Sequence, residues 1–170
     1  GLCKDKIPDA IIRVLSSVGI SMPGYVIASG LMVILAVNLK ILPVNYNKPG
    51  GWIMPMITLA IYPTSYLTRL TRASILEVMN QDYLRTERAK GMSEFVVVFV
   101  HALKNSLIPV ITYLGPLTAS ILTGGFVAES VFSVPGLGRY FVSSISSRDY
   151  TMIMGVTIFY SALIVIMNLV

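Results

Sequence analysis

The sequence predicts an all-α protein, a multi-spanning bundle of membrane helices, and three observations carry that prediction. Of its 170 residues, 55% are hydrophobic and only 12% are charged, a balance outside the range of ordinary soluble domains. Four windows, 14–39, 49–68, 105–128 and 150–170, contain no Asp, Glu, Lys or Arg. Each reaches the roughly 20 residues a helix needs to cross the hydrocarbon core, and their unbroken apolarity is unlike the alternation of a barrel strand. The third observation is where the charge sits. Lys4, Lys6 and Arg13 precede the first window, and Arg69, Arg72, Arg85, Arg88, Lys90 and Lys104 fall between the second and third. Only Lys40, Lys48, Arg139 and Arg148 lie in the alternate loops, so the positive-inside rule assigns the 69–108 segment to the cytoplasm. The net charge of +5 is thus spent on orientation in the membrane, with lipid as its partner and no nucleic acid.

Taken in order, Ile7, Ile11, Ile12 and Leu15 recur at helical spacing, which predicts a short helix over 4–16 lying at the membrane surface. The first span is expected over 17–39, kinked at Pro23-Gly24. An outer loop over 40–51 carries Pro43, Asn45, Asn47, Pro49 and Gly50-Gly51, with Tyr46 and Trp52 at the interface. The second span is expected over 52–68, kinked near Pro55 and Pro63, and Leu70, Ala73, Leu76, Met79 and Tyr83 prolong its helix with one apolar face in need of a partner.

The third span, 110–128, is about 28 Å long at 1.5 Å per residue, which matches the core thickness. Its Gly115, Ala119, Ser120, Gly124 and Gly125 favour close helix packing. Its Thr112, Thr118, Ser120 and Thr123 offer uncharged hydroxyls to a translocation path. A second outer loop covers 129–149, with a turn at Pro135-Gly136 and a helix to Ser147. Asp149 is placed to cap the last span, 150–170, in which Asn168 suits an interhelical hydrogen bond. The chain opens on Gly1 and ends on Val170 inside an apolar run, and we expect it to be a single, partial membrane domain. No cleaved-signal layout stands at its start, so insertion is expected to rely on the spans.

Between the second and third spans lies a polar island, Gln81 to Glu94. Its signals describe two short helices meeting at an angle. Asp82 is placed to cap the first, Arg88 and Lys90 stand in its last turn, Gly91 supplies a left-handed stop, and Ser93 is placed to cap the second, with Glu94 in its first turn. A plain connector needs only a few residues. This one is built as a knob.

The run Asp82-Tyr83-Leu84-Arg85-Thr86-Glu87-Arg88-Ala89-Lys90-Gly91, followed by His101-Ala102-Leu103-Lys104-Asn105-Ser106-Leu107-Ile108-Pro109, resembles the cytoplasmic coupling ("EAA") loop of permease subunits in bacterial ABC importers. Arg85-Thr86-Glu87 stand where the namesake residues would be, and Gly91 fits the glycine of the pattern. Phe132-Ser133-Val134-Pro135-Gly136-Leu137-Gly138-Arg139 and Arg148-Asp149-Tyr150 are similar to the dipeptide, oligopeptide and nickel branch of that family. Glu87 departs from a position that is usually small in the branch. His101 and Lys104 stand where the broader superfamily often has isoleucine and proline, which favours the peptide-type branch.

The resemblance implies an inner-membrane permease fold in a bacterium or archaeon, with di- or oligopeptides as cargo and nickel or another small solute as the alternative. It implies that Arg85, Thr86, Glu87, Arg88, Ala89, Lys90, Gly91, Met92, Ser93 and Glu94 form the ATPase-coupling loop. Pro135, Gly136, Gly138 and Arg139 would face a receptor on the outer side. The implied partners are a second permease subunit, ATP-binding subunits and an extracytoplasmic solute-binding protein. This chain would hold no cofactor of its own, and ATP and Mg would bind the partner subunits.

The residues fit that division of labour. No Gly-x-x-x-x-Gly-Lys-Ser/Thr loop is present to cradle phosphates, and no Gly-x-Ser-x-Gly elbow. The one histidine, His101, has no companions at metal-ligand spacing and reads as a polar contact at a helix junction, while the one cysteine, Cys3, allows no disulfide framework. We therefore expect no catalytic residue and no metal site. The span interiors carry no Asp, Glu, Lys, Arg or His, which argues against ion-coupled transport and places the energy source on a partner. A self-sufficient channel with a regulatory cytoplasmic loop is the alternative from a different class.

Overall fold

Proline or glycine stands at most of the breaks that divide the described residues into nine helical stretches. A computed structural model describes residues 7–122 and 125–169, and among them it shows helices and turns without a strand. The stretches are α1 (Ile7–Ser21), α2 (Gly24–Asn38), α3 (Ile53–Met79), α4 (Asp82–Ala89), α5 (residues 94–106), α6 (Ile108–Leu122), α7 (Phe126–Val131), α8 (Leu137–Ser147) and α9 (Tyr150–Leu169). Part of α2, Met32–Asn38, and part of α5, Val97–Ala102, are wound as π-helix. Thr123 and Gly124, with Cys3, Lys4, Lys6 and Val170, lie outside the described residues.

The stretch expected as one kinked first span is divided. α1 runs to Ser21, and Pro23, extended at φ −60° and ψ 139°, opens α2. Proline has no N–H to donate to the turn behind it and pushes the preceding residue out of the helical region, so the helix stops instead of bending. Pro55, expected to kink the second span, stands in the first turn of α3, where amide donors have no partner within the helix and nothing is lost. Pro63 does lie inside α3, which continues through it for 27 residues in all.

Among the described residues, and by length and composition, two helical runs hold a window apolar enough to cross a membrane, one within Glu94–Val131 and one within Tyr150–Leu169, or up to three if the pair broken at Met22-Pro23 counts as one span. α3 is not among them. Thr58, Tyr62, Pro63, Thr64, Ser65 and Tyr66 dilute its apolar middle.

Three helices end in the same way. α4 closes with Gly91 at φ +81°, its N–H bonding Arg88 O at 3.0 Å while Met92 N bonds Glu87 O at 3.4 Å. That pair of reverse bonds, 5→2 and 6→1, is the Schellman ending, which satisfies carbonyls the helix leaves free. α7 and α8 end with Ser133 and Arg148 in the left-handed region, and Val134 N and Asp149 N return to Glu129 O and Ser144 O at 3.0 and 2.9 Å. Asp149 then caps α9, its Oδ1 accepting from Met152 N at 3.0 Å.

The chain divides into two compact units, residues 1–19 with 64–114, and residues 20–63 with 115–170. In the first, α1 is tied to α3 by a buried ion pair. Arg72 Nε and Nη2 donate to Asp9 Oδ1 and Oδ2 at 2.7 and 2.8 Å, and the Asp9 side chain is 6% exposed. Ser74 Oγ bonds Ser106 O at 2.8 Å, and the Tyr66 and Tyr113 rings lie 4.4 Å apart.

In the second unit, Ala28, Met54, Ala128 and Phe132 form the buried centre. Gly115 has backbone close by, since a Cβ there would lie 3.1 Å from Met167 O, and Ala119 is buried. Both are packing positions of the small-residue kind. Asn168, expected to bond a neighbouring helix, donates instead to Ile164 O of its own helix at 2.9 Å.

Candidate functional site

The polar island folds as a closed hairpin of α4 and α5 within the first unit. Leu84, Val97 and Ala102 are buried between the two helices, and Val78, Met79 and Met92 pack against them. Met79 thus finds the partner that the apolar face of α3 requires. Met92 reaches this core because the Gly91 turn reverses the chain there, which couples the left-handed residue to the packing.

Three polar ties join the helices. Asn105 Nδ2 donates to Tyr83 Oη at 2.9 Å, His101 Nδ1 lies 3.1 Å from Glu87 Oε1, and Arg88 Nε and Nη2 donate to Glu94 Oε2 and Oε1 at 3.0 and 2.9 Å. One turn forward on α4, from Tyr83 to Glu87, corresponds to one turn back on α5, from Asn105 to His101. The helices therefore run antiparallel in a fixed register. His101 is the polar junction contact its isolation suggested. Its partner is the residue that departs from the family pattern. Glu87 Oε2 is buried without a hydrogen-bond partner.

The hydrogen bonds from Arg88 hold the Glu94 carboxyl below the usual carboxylate range, and the same bonds raise the Arg88 guanidinium above its ordinary value. Both groups are charged at neutral pH. The tie lies in water, so it adds orientation more than stability.

Two caps differ from expectation. Gln81, not Asp82, is the capping residue of α4, and its side chain makes no cap bond. Asp82 is the first helical residue, 3.5 Å from Arg85 Nη1, where its charge still favours the helix start. Ser93 does occupy the capping position of α5, yet only its carbonyl is used, accepting from Val97 N at 3.1 Å.

The ten residues expected to form the coupling surface separate into two sets. Arg85, Thr86, Ala89, Lys90, Gly91, Ser93 and Glu94 are exposed along the hairpin's tip and outer side. Glu87, Arg88 and Met92 are half-buried and hold the hairpin together. Tyr83, Leu84 and Asn105 belong to the same construction, and sequence reasoning assigned none of the three a role in holding two helices together.

In the second unit, Pro135, Gly136, Gly138 and Arg139 form the turn that leads into α8. Arg139 Nη1 donates to Ser133 O at 3.1 Å, and Arg139 N donates to Glu129 Oε2 at 3.0 Å. The sequence treated Glu129 as the edge of a loop, whereas its carboxylate sits inside it.

The hydroxyls expected on a path are scattered. At about 100° per residue, Thr112, Thr118 and Ser120 point in three different directions around α6, and all three are exposed. Thr112 Oγ1 and Ser120 Oγ bond the backbone of their own helix, at Ile108 O and Leu117 O, 3.0 and 2.8 Å away. Ser120 lines a cleft of about 330 Å³, which it shares with Thr58, Tyr62 and Phe126.

The model of the binding-protein-dependent transport system inner membrane component family matches residues 2–170. The chain is 50% identical over 154 residues to the dipeptide transport system permease protein DppB of Bacillus subtilis, covering 90% of this chain and 50% of that protein. It is 38% identical to the oligopeptide permease protein OppB of Haemophilus influenzae, covering 94% and 53%. Against the glutathione permease protein GsiC of Salmonella choleraesuis it is 39% identical, covering 98% and 55%. It spans about half the length of these relatives. With helices apolar enough to cross a bilayer and a family match over nearly its whole length, the chain belongs to the family of binding-protein-dependent transport system inner membrane components.

Proposed function

We propose that the chain belongs to a permease subunit of a peptide-type ABC importer, and that the α4–α5 hairpin is the lever through which ATP-binding subunits move the spans. One observation carries this reading. The island is a closed, cored hairpin whose tip residues Arg85, Thr86, Ala89, Lys90 and Ser93 are exposed, as a part built to seat in another protein should be. A topology-setting loop needs neither a buried Leu84 nor three cross-helix ties.

In this reading ATP and its magnesium are bound and hydrolysed on the partner, a second permease subunit completes the path, and a solute-binding protein delivers cargo to the outer side. Short peptides are the proposed cargo, from the names of the relatives that match. The cleft around Thr58, Tyr62 and Ser120 is uncharged. It therefore suits the backbone of a peptide better than a bare metal ion, which needs anionic or several oxygen ligands. Mass spectrometry of the assembly that carries the full-length protein, taken from native membranes with its small molecules, tests the reading. Recovery of ATP-binding subunits and a receptor loaded with short peptides is the expected result. A protein that emerges alone and conducts ions would make the hairpin a channel gate.

A further inference from the structure

We infer that Glu129 is a positioning residue for the outer turn, a side chain that builds the surface on which, in the function proposed above, a solute-binding protein would dock. α8 begins at Gly136, which has no side chain to cap it, and no other side-chain cap bond is made there. The missing acceptor is supplied from α7. Glu129 Oε2 accepts from Arg139 N at 3.0 Å, within the first turn of α8, and its negative charge favours that end of a helix. The same residue also fastens the loop through its main chain, Glu129 O accepting from Val134 N at 3.0 Å.

The two glycines of the turn fit around this carboxylate. A Cβ on Gly136 would overlap the Glu129 carboxyl group. On Gly138 it would lie 2.9 Å from Glu129 Oε2 and 2.7 Å from Phe126 Cδ1. Conformation does not call for glycine at Gly136, because φ −145° and ψ 166° are extended values open to any residue. Space does. The turn signal at Pro135-Gly136 is therefore one half of a pair whose other half is Glu129. Arg139 is locked by it as well, its guanidinium held to Ser133 O at 3.1 Å and its amide to Glu129.

This reading makes a reciprocal prediction. Glu129→Ala removes the acceptor, Gly136→Ala drives the carboxylate out of place, and the two changes together should be no worse than Glu129→Ala alone, because the deleted side chain vacates the space. Glu129→Gln keeps an acceptor of the same shape and should restore most of the effect. The experiment uses the full-length protein in its assembly in lipid nanodiscs. Hydrogen exchange of the Arg139 amide is expected to quicken about fivefold in Glu129→Ala and in Gly136→Ala, the scale of a lost helix cap, without further change in the double variant.

The receptor concentration that half-maximally stimulates ATP turnover is expected to rise in the same order. Unchanged exchange in Gly136→Ala, or strictly additive effects in the double variant, would overturn the cradle. Altered exchange with an unaltered receptor requirement would overturn the positioning role. An unmutated assembly that ignores any receptor would count against the permease reading and its docking role, while the exchange data would still decide the cradle.

Discussion

Gly91 shows how one residue sets the hairpin. It stands at φ +81° with nothing within 4 Å of where a Cβ would be. Space therefore permits any side chain, and the cost of substitution is conformational alone. A left-handed residue with a Cβ costs roughly 1–2 kcal/mol, and a β-branched one is the least tolerant. Gly91→Val is expected to insert normally and to lower transport per ATP hydrolysed, because relief of that strain shifts Met92 out of the core and turns the tip. Gly91→Asn should be the mildest replacement, since asparagine visits the left-handed region most readily. Transport and ATP turnover measured together in reconstituted vesicles check this, and normal coupling in the valine variant would remove the role given to the turn.

At the scale of elements, the ion pair between α1 and α3 has the clearest energetic consequence. Asp9 is almost wholly buried and bonded through both oxygens to Arg72, with Arg13 Nε 3.6 Å away. Removing one partner of a buried pair costs up to about 3–5 kcal/mol, here reduced by the Arg13 charge that remains beside Asp9, whereas replacing both by apolar side chains is often neutral. Arg72→Met is thus expected to lower the thermal stability of the purified full-length protein sharply, and Asp9→Leu with Arg72→Met to recover most of it. Two equally unstable proteins would show that the pair is not what ties α1 down.

Sequence reasoning missed this tie. It counted Arg72 among orienting charges and gave Asp9 no role, since long-range pairing between residues 63 apart leaves no periodic trace. Local signals were legible for a physical reason: Gly91 and the Asp149 cap are each decided within one turn of chain, whereas Pro23 was read as a kink and is a full break. Ser93 and Asp82 show the limit. Composition marked both helix starts, but neither side-chain oxygen makes the cap bond, and Asp82 lies beside Arg85 instead.

Over the whole molecule, hydropathy carried the fold class, and the motif runs around Gly91 and Pro135 carried the family resemblance. The path was the least legible part. Thr112, Thr118 and Ser120 are hydroxyls on an apolar helix, and such a group satisfies itself on the i−3 or i−4 carbonyl, so its presence says little about facing a channel. The many exposed apolar side chains of α9, Met154, Ile158 and Val165 among them, are those of a helix meant for lipid or for further helices. The chain spans about half of the relatives it matches, and a path formed by a whole permease is spread over more residues than these.

The central claim, that the α4–α5 hairpin seats in an ATP-binding subunit, is tested most directly by a cysteine cross-linking scan. Single cysteines would be placed from Arg85 to Glu94 in the full-length protein, with Cys3 replaced, and the assembly exposed to a short bifunctional thiol reagent. Cross-links from the exposed set, Arg85, Thr86, Ala89, Lys90 and Ser93, and weak or absent ones from the inward-facing Glu87 and Met92 are expected. No cross-link to an ATP-binding subunit at any position, in an assembly shown to contain one, would contradict the account.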